Sequence, residues 1–357
     1  MTNHLAVLEH PADTARAATV SALRRTRNVQ VRRLTVAVAT CCVLLAGLLA
    51  AALFLGGGRV AAADILPAAF GLRTGLADYV VFQNRLPRAL AALLSGALFG
   101  LSGALYQKLI RNPLATPDIV GISAGGGAGA TTILILAPGL PLGVPVAAVL
   151  GSFALVAAIH ALSWRQGVDT YRLVLVGIAL SAVCGAYTNY LFTVADQHSI
   201  AVAMRWLIGS VNGASWEGVL TLGLALAVCA AGVAVLGRGL SGLALGDELA
   251  TGLGLPVSFT RVCALLLGAA AAALATSVVG PIGFVALISG PISARLVGGE
   301  HALGLSAFVG AVIVLGADLL AQHAPLVSPV PTGVLTALLG APYFFWLVLR
   351  RGAGATS

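Results

Sequence analysis

"RNPLATPDIVGISAGGGAGA", Arg111 to Ala130, places three charged or amide side chains and two prolines between long apolar runs and then turns to glycine. Its surroundings make it unusual. The 357-residue chain is 59% hydrophobic and only 9% charged, too few polar side chains to cover a soluble globule of this size. The bilayer is therefore its solvent. At membrane depth, irregular backbone is tolerated only where protein or a water-filled cavity satisfies it.

Outward from that segment, charge-free runs of spanning length recur: Leu34–Gly58, Ala89–Gln107, Ile119–Trp164, Leu173–Ala195, Gly218–Gly237, Val262–Ala294 and Leu319–Leu349. A hydrocarbon core needs about 20 apolar helical residues per crossing, so the longest runs hold two helices each. Breakers divide them at Pro138, Pro141 and Pro145, at Gly280-Pro281, and at Pro325, Pro329 and Pro331. The pattern predicts an all-α polytopic membrane protein of ten helices, over 34–56, 87–109, 118–137, 142–164, 172–194, 217–237, 261–280, 283–297, 303–322 and 332–350. The helix at 283–297 is short enough to be partly re-entrant. Domain organisation follows as an N-terminal tail (1–33), a transmembrane domain (34–351) containing a loop at about 238–260, and a C-terminal tail (352–357).

Basic residues orient the bundle, because Lys and Arg are retained on the cytoplasmic side. With the N-terminus inside, fifteen fall on inner segments and five (Arg59, Arg73, Arg85, Arg88 and Arg205) on outer ones. Both termini are then expected in the cytoplasm, and the net charge of +8 reflects this asymmetry rather than a nucleic-acid surface. A secretory signal fits the start poorly, since about thirty mostly polar residues precede the first apolar run. The five cysteines all lie in expected helices without metal-type spacing and read as small apolar residues.

Small residues four apart, Gly96 and Gly100, then Gly121, Gly125 and Gly129, form ridges that let helices approach closely. The G-x-G-x-x-A spacing of Gly125, Gly127 and Ala130 imitates a dinucleotide fingerprint, but no carboxylate follows before Asp169. Asp318 is the main ionisable group within the spans and is expected to bond a neighbouring helix or face a cavity. A phosphate-binding loop is absent from the sequence: it needs Gly-Lys, and the only lysine, Lys108, follows Gln107. His160, His198, His301 and His323 have no metal-ligand spacing, and no catalytic constellation stands out.

In "GRGLSGLALGDELATGLGLPVSFTR", Gly237 to Arg261, Asp247 and Glu248 suit the first turn of a short helix that Pro256 ends. Leu245, Leu249 and Leu253 share one face of it. An exposed apolar stripe needs a cover. A lipid-surface helix would carry Lys or Arg on its polar face, whereas this one carries acids, which favours a protein partner.

Several stretches together resemble the integral permeases of bacterial iron-siderophore, haem and cobalamin ABC importers, the FecCD/BtuC-like type II group. They are "NRLPRALAALLSGALFGLSGALYQ" (Asn84 to Gln107), "RNPLATPDIVGISAG" (Arg111 to Gly125), "LALGDELATGLGLP" (Leu243 to Pro256), "GPIGFVALI" (Gly280 to Ile288) and "PTGVLTALLGAPYFFWLV" (Pro331 to Val348). The resemblance implies a non-enzymatic permease in the bacterial cytoplasmic membrane. It would pair with a second permease subunit, two cytoplasmic ATPase subunits that bind the ATP, and an external substrate-binding protein, and would carry a ferric siderophore or, alternatively, cobalamin or haem. No cofactor or metal is expected in this chain.

Carried over by position, Leu245, Gly246, Asp247, Glu248, Leu249, Ala250, Leu253 and Gly254 would form the coupling helix that meets the ATPase. Arg85 and Arg88 would dock the binding protein, and Asn112, Pro113, Thr170 and Tyr171 would belong to the gate and translocation path. The chain departs from many relatives at Gly290-Pro291, where Pro-His is usual, and at Gln322-His323, where some have an arginine. A different reading, an ion-driven transporter, would use Asp318 as its coupling site.

Overall fold

In the computed structural model the described residues are 11–55, 75–140, 143–163, 170–299, 302–323 and 330–354. The ends of both expected tails, together with Arg59, Arg73, Arg165 and His301, lie outside them. Helix α1 covers Pro11–Phe54. A short turn, Leu76–Tyr79, and a π-helical turn, Val80–Arg85, run directly into α2, Leu86–Ile110. Then follow α3 (Ile122–Leu136), α4 (Gly143–Ser163), α5 (Thr170–Val194), α6 (Gln197–Ile208), α7 (Trp216–Leu243), α8 (Asp247–Gly252), α9 (Val257–Val279), α10 (Val285–Val297), α11 (Leu303–His323) and α12 (Thr332–Gly354).

All ten expected crossings are present, as α1–α5, α7 and α9–α12. Among the described residues, seven spans are long and apolar enough to cross a bilayer alone, while α3, α10 and α12 have shorter apolar stretches. Several features differ from expectation: the helical turns over Leu76–Arg85 precede the expected start of α2, α7 runs on to Leu243, and two differences are larger. Within the described residues α1 is already helical from Pro11 rather than beginning near residue 34, because the polar segment is rich in Ala and Arg, good helix formers. α6 was not expected: its 12 residues include His198 and Arg205, which hide its apolar face from a search for long runs.

The centre of the bundle is α2, buried along most of its length between α7, α9, α10 and α11. Lipid tails supply no hydrophobic force between helices, so close packing and interhelical hydrogen bonds hold such a bundle. The expected ridges do this. A Cβ on Gly96 would strike the Gly310 carbonyl, and one on Gly310 would strike that of Gly96, so α2 and α11 touch backbone to backbone. Gly125 and Gly151 bring α3 and α4 together in the same way. Side chains of α2 then bond neighbouring helices: Ser102 Oγ donates to Gly268 O at 2.6 Å, Tyr106 Oη to Leu265 O at 3.2 Å, and Gln107 Nε2 to Leu287 O at 2.9 Å.

Two crossings begin inside the bundle. Gly121, just before α3, packs against Leu155 of α4 and Ser181 of α5. At 1.5 Å per residue these lie roughly 12 and 16 Å in from Ser163 and Thr170, the adjacent helix ends. Phe284, just before α10, packs on Gly340, roughly 12 Å along α12 from Thr332. Irregular segments at 111–121 and 280–284 make up the remaining depth.

Candidate functional site

At one end of the bundle α7 closes in a tight turn, and α8 projects before α9 returns. Gly246 (φ 103°) and Gly254 (φ 75°) flank α8 in the left-handed region that glycine occupies without steric cost. Ala250 is fully buried beneath the helix, whereas Leu245, Leu249 and Leu253 are 56, 65 and 67% exposed. All three leucines of the expected stripe are therefore exposed, although only Leu249 lies within α8, with Leu245 before Gly246 and Leu253 just past the helix end.

Asp247 heads α8, but its carboxylate points to its own chain. Arg261 of α9 places one guanidinium nitrogen 2.9 and 3.0 Å from the two carboxylate oxygens. Arg111 Nη2 donates to the same group at 2.8 Å and to Leu243 O, the last residue of α7, at 2.9 Å. The Arg261 hydrogen bond, opposed next by desolvation and reinforced by the charges of Arg261 and Arg111, holds the Asp247 carboxyl below its ordinary range. With Asp247 45% and Arg111 52% exposed, each such pair contributes only about 0.2–1 kcal/mol to stability.

Arg111 opens the segment quoted at the outset, so the knob and that segment share one ion cluster. Its backbone, at φ 54°, caps α2 in the left-handed region. Asn112 follows as a turn: its Oδ1 accepts from Leu114 N at 2.9 Å, and its carbonyl from Ala115 N at 3.0 Å. Successive turns carry the chain onward, with Ile119 N bonded to Thr116 O, Val120 N to Pro117 O and Gly121 N to Asp118 O. Asp118 accepts from Ser123 Oγ, and Ser152 Oγ of α4 donates to Ile122 O at 2.9 Å. These bonds explain how non-helical backbone persists at that depth.

Of the other expected path residues, Pro113 lies half-buried inside the Asn112 turn. Tyr171 is 76% exposed on the first turn of α5, and Thr170 begins that helix. Further along, α5 leaves Gly185 and Asn189 exposed, with partly exposed Ser181 one turn earlier on the same face. Exposed Tyr187 lies alongside, its Oη 3.1 Å from Thr132 Oγ1. Small and amide side chains at mid-helix suit a polar path or a packed partner better than lipid. Beyond α5, Asp196 caps α6 by accepting from the His198 and Ser199 amides at 2.9 and 3.0 Å. Those bonds and the Ser199 hydroxyl, the largest influence, hold its carboxyl below the usual range.

At the opposite end, neither expected docking arginine is a solvated surface charge. Arg85 is buried and donates to Leu53 O at 2.5 Å. Arg88 grips Asp318 of α11 with two bonds of 2.9 Å, and its third nitrogen reaches Asn212 Oδ1 at 3.1 Å. Asp318, 1% exposed, also accepts from Gln322 Nε2 at 2.7 Å and Thr332 Oγ1 at 3.0 Å. Asp318 thus bonds a neighbouring helix, and Gln322, one of the departures from relatives, completes its shell. His323 sits between the carbonyls of Leu319 and Leu55. Gly290, the other departure, gives Gln107 room, since a Cβ there would overlap the Gln107 amide. Among the described residues no group of three His, Cys, Asp or Glu side chains could hold a metal ion.

Sequence reasoning missed the Arg111–Asp247–Arg261 cluster and the shell around Asp318. Their members lie up to 230 residues apart, and only the opposite charges hinted at them.

Residues 42–350 match the FecCD transport family. The chain is 38% identical to the Fe(3+)-citrate import system permease protein YfmE of Bacillus subtilis, over 76% of this chain and 82% of that protein. It is 35% identical to the ferric enterobactin transport system permease protein FepG of Escherichia coli, over 76 and 83%. With the vitamin B12 import system permease protein BtuC of Klebsiella pneumoniae it shares 37% identity, over 77 and 84%. Among solved structures, an inward-facing conformation of a metal-chelate type ABC transporter superposes with a TM-score of 0.76 at 30% identity, covering 88% of this chain and 98% of that one. A ten-crossing bundle, an exposed knob between its α7 and α9, and a family match over most of its length have one common explanation: the chain belongs to the FecCD transport family.

Proposed function

We propose that this chain is the transmembrane permease subunit of an ATP-driven importer that brings a ferric siderophore across the bacterial cytoplasmic membrane. The observation that carries this reading is α8: a short acid-headed helix and the residues flanking it present three exposed leucines, Leu245, Leu249 and Leu253, at one end of an otherwise membrane-embedded bundle. An apolar stripe beside Asp247 and Glu248 suits a cleft in a soluble ATPase. The sequence has no phosphate-binding loop of its own, so the hydrolysis belongs to two partner subunits.

In this reading the α8 end faces the cytosol, both termini lie there, and residues 34–351 form the permease domain. A second permease subunit packs along the exposed faces of α5 and α12, leaving a central path lined in part by Ser181, Gly185 and Asn189 of α5. Closure of the ATPase pair on ATP moves both coupling helices and shifts the path between outward and inward access; such a shift requires ATP to favour one state over the other. An external binding protein delivers the chelate at the far end, where Arg88 keeps a partly exposed guanidinium beside Asn212. Buried Arg85 supports that surface from beneath.

Relatives named for iron chelates favour a ferric siderophore, and relatives named for haemin and vitamin B12 define the alternatives. Expression with the cognate ATPase and binding protein in a bacterium lacking its own permeases of this family tests the choice. ATP-dependent uptake of a ferric siderophore is expected; uptake of cobalamin or haem alone would reassign the substrate. The ion-driven alternative loses support from Asp318, whose carboxylate is engaged by Arg88, Gln322 and Thr332.

A further inference from the structure

We infer that Arg111 is a positioning residue that ties the coupling helix to the gate segment, so that movement of α8 reaches Asn112 directly. This rests on the importer reading above. Three elements converge on its guanidinium or on the carboxylate it holds: the end of α7 through Leu243 O, the head of α8 through Asp247, and the start of α9 through Arg261. A fourth, the C-terminus of α2, is Arg111's own backbone.

Arg111's conformation points the same way. It has φ 54°, one of two non-glycine residues with positive φ among the described residues. Glycine or asparagine caps a helix there at lower cost. An arginine in that place is strained at the backbone and engaged at the side chain, the combination expected where strain serves function. The next residue is Asn112, whose turn begins the irregular segment, and Gln107, one turn earlier, holds the Ala286 and Leu287 carbonyls of α10. A displacement of α8 therefore meets, within one side chain's length, a junction from which both interrupted crossings, α3 and α10, are reached.

The Arg111–Asp247 pair is half-exposed and weak as a stabiliser, so removing Arg111 should impair transmission more than folding. The test uses the complete transporter in proteoliposomes, with the ferric chelate that the wild-type complex imports as probe. Complexes carrying Arg111→Gln are expected to assemble with the ATPase and hydrolyse ATP at close to the wild-type basal rate. They should import about fivefold less chelate per ATP, or worse, the lower end of typical coupling effects. Arg111→Lys, which keeps the charge but lacks the planar fork, should recover part of the ratio. The reversed pair Arg111→Glu with Asp247→Arg should recover more than either change alone.

An unchanged chelate-per-ATP ratio in both Arg111→Gln and Arg111→Lys would overturn the linkage. So would a fall in import matched by an equal loss of ATPase assembly, which would make Arg111 a support of the docking surface. Should Arg111→Gln not accumulate, Arg111→Lys alone decides by the same ratio. Failure of the wild-type complex to import with ATP is a separate result, which removes the importer reading itself.

Discussion

The charged side chains of this bundle divide into two kinds with different consequences. Asp318 is buried and surrounded by donors from three positions, and removing one partner of such a group costs about 3–5 kcal/mol because the other charge is stranded. Asp318→Ala should therefore lower the thermal stability of the purified protein markedly. Asp318→Asn, which keeps one acceptor, should do so less and retain ATP-dependent uptake per folded molecule; loss of uptake from a stable Asp318→Asn protein would favour ion coupling. Asp247 is the other kind, exposed and shared by two arginines. Its carboxyl is held below its ordinary value of about 4, so the ion cluster is intact above that pH and is lost as pH falls through the depressed value. ATP-driven uptake is expected to show no step attributable to Asp247 between about pH 5.5 and 8, which a comparison of wild type with Asp247→Asn across that interval checks.

Helices in this chain are specified by two signals, and each element was legible to the extent that it carried them. Long charge-free runs and the prolines that divide them predict the ten crossings, most ends within a few residues, but not the N-terminal extent of α1 or the last six residues of α7, Arg238 to Leu243. α6 carried neither signal: its trace was Asp196, followed three residues later by Ser199, the capping pattern now seen to hold its first turn. Asp196→Ala should speed hydrogen exchange at the His198 and Ser199 amides while leaving α5 protected. The length of α1 was hidden because helix propensity without an apolar face gives no periodicity to read. Glycine spacing, by contrast, correctly marked contact ridges, and these make graded predictions. Gly125→Leu should force α3 from α4 and cost about 1–3 kcal/mol or more, whereas Gly47→Leu on α1, with no atom near its would-be Cβ, should be close to neutral by the same thermal measurement. The exposed leucines at and beside α8 were readable from spacing, but the ion cluster beneath them joins positions 136 residues apart, and no local pattern encodes such a pairing.

As a whole the molecule is a set of closely packed crossings around α2, interrupted twice at depth and capped at one end by an uncovered knob. That architecture suits a passive pathway whose opening is imposed from outside: its buried carboxylate, Asp318, is neutralised internally by Arg88, and its exposed leucines at and beside α8 are placed where a soluble partner can grip them. Replacing Leu249 with Glu should leave the bundle folded, weaken ATPase association and reduce uptake in proportion, as co-purification and transport measured together would show. The most direct measurement places the purified chain in vesicles with its binding protein, with and without the ATPase, and follows accumulation of ferric siderophore against a gradient. Accumulation only when both ATPase and ATP are present is the expected result; uphill accumulation by the chain without any ATPase, driven by an ion gradient, would contradict the account.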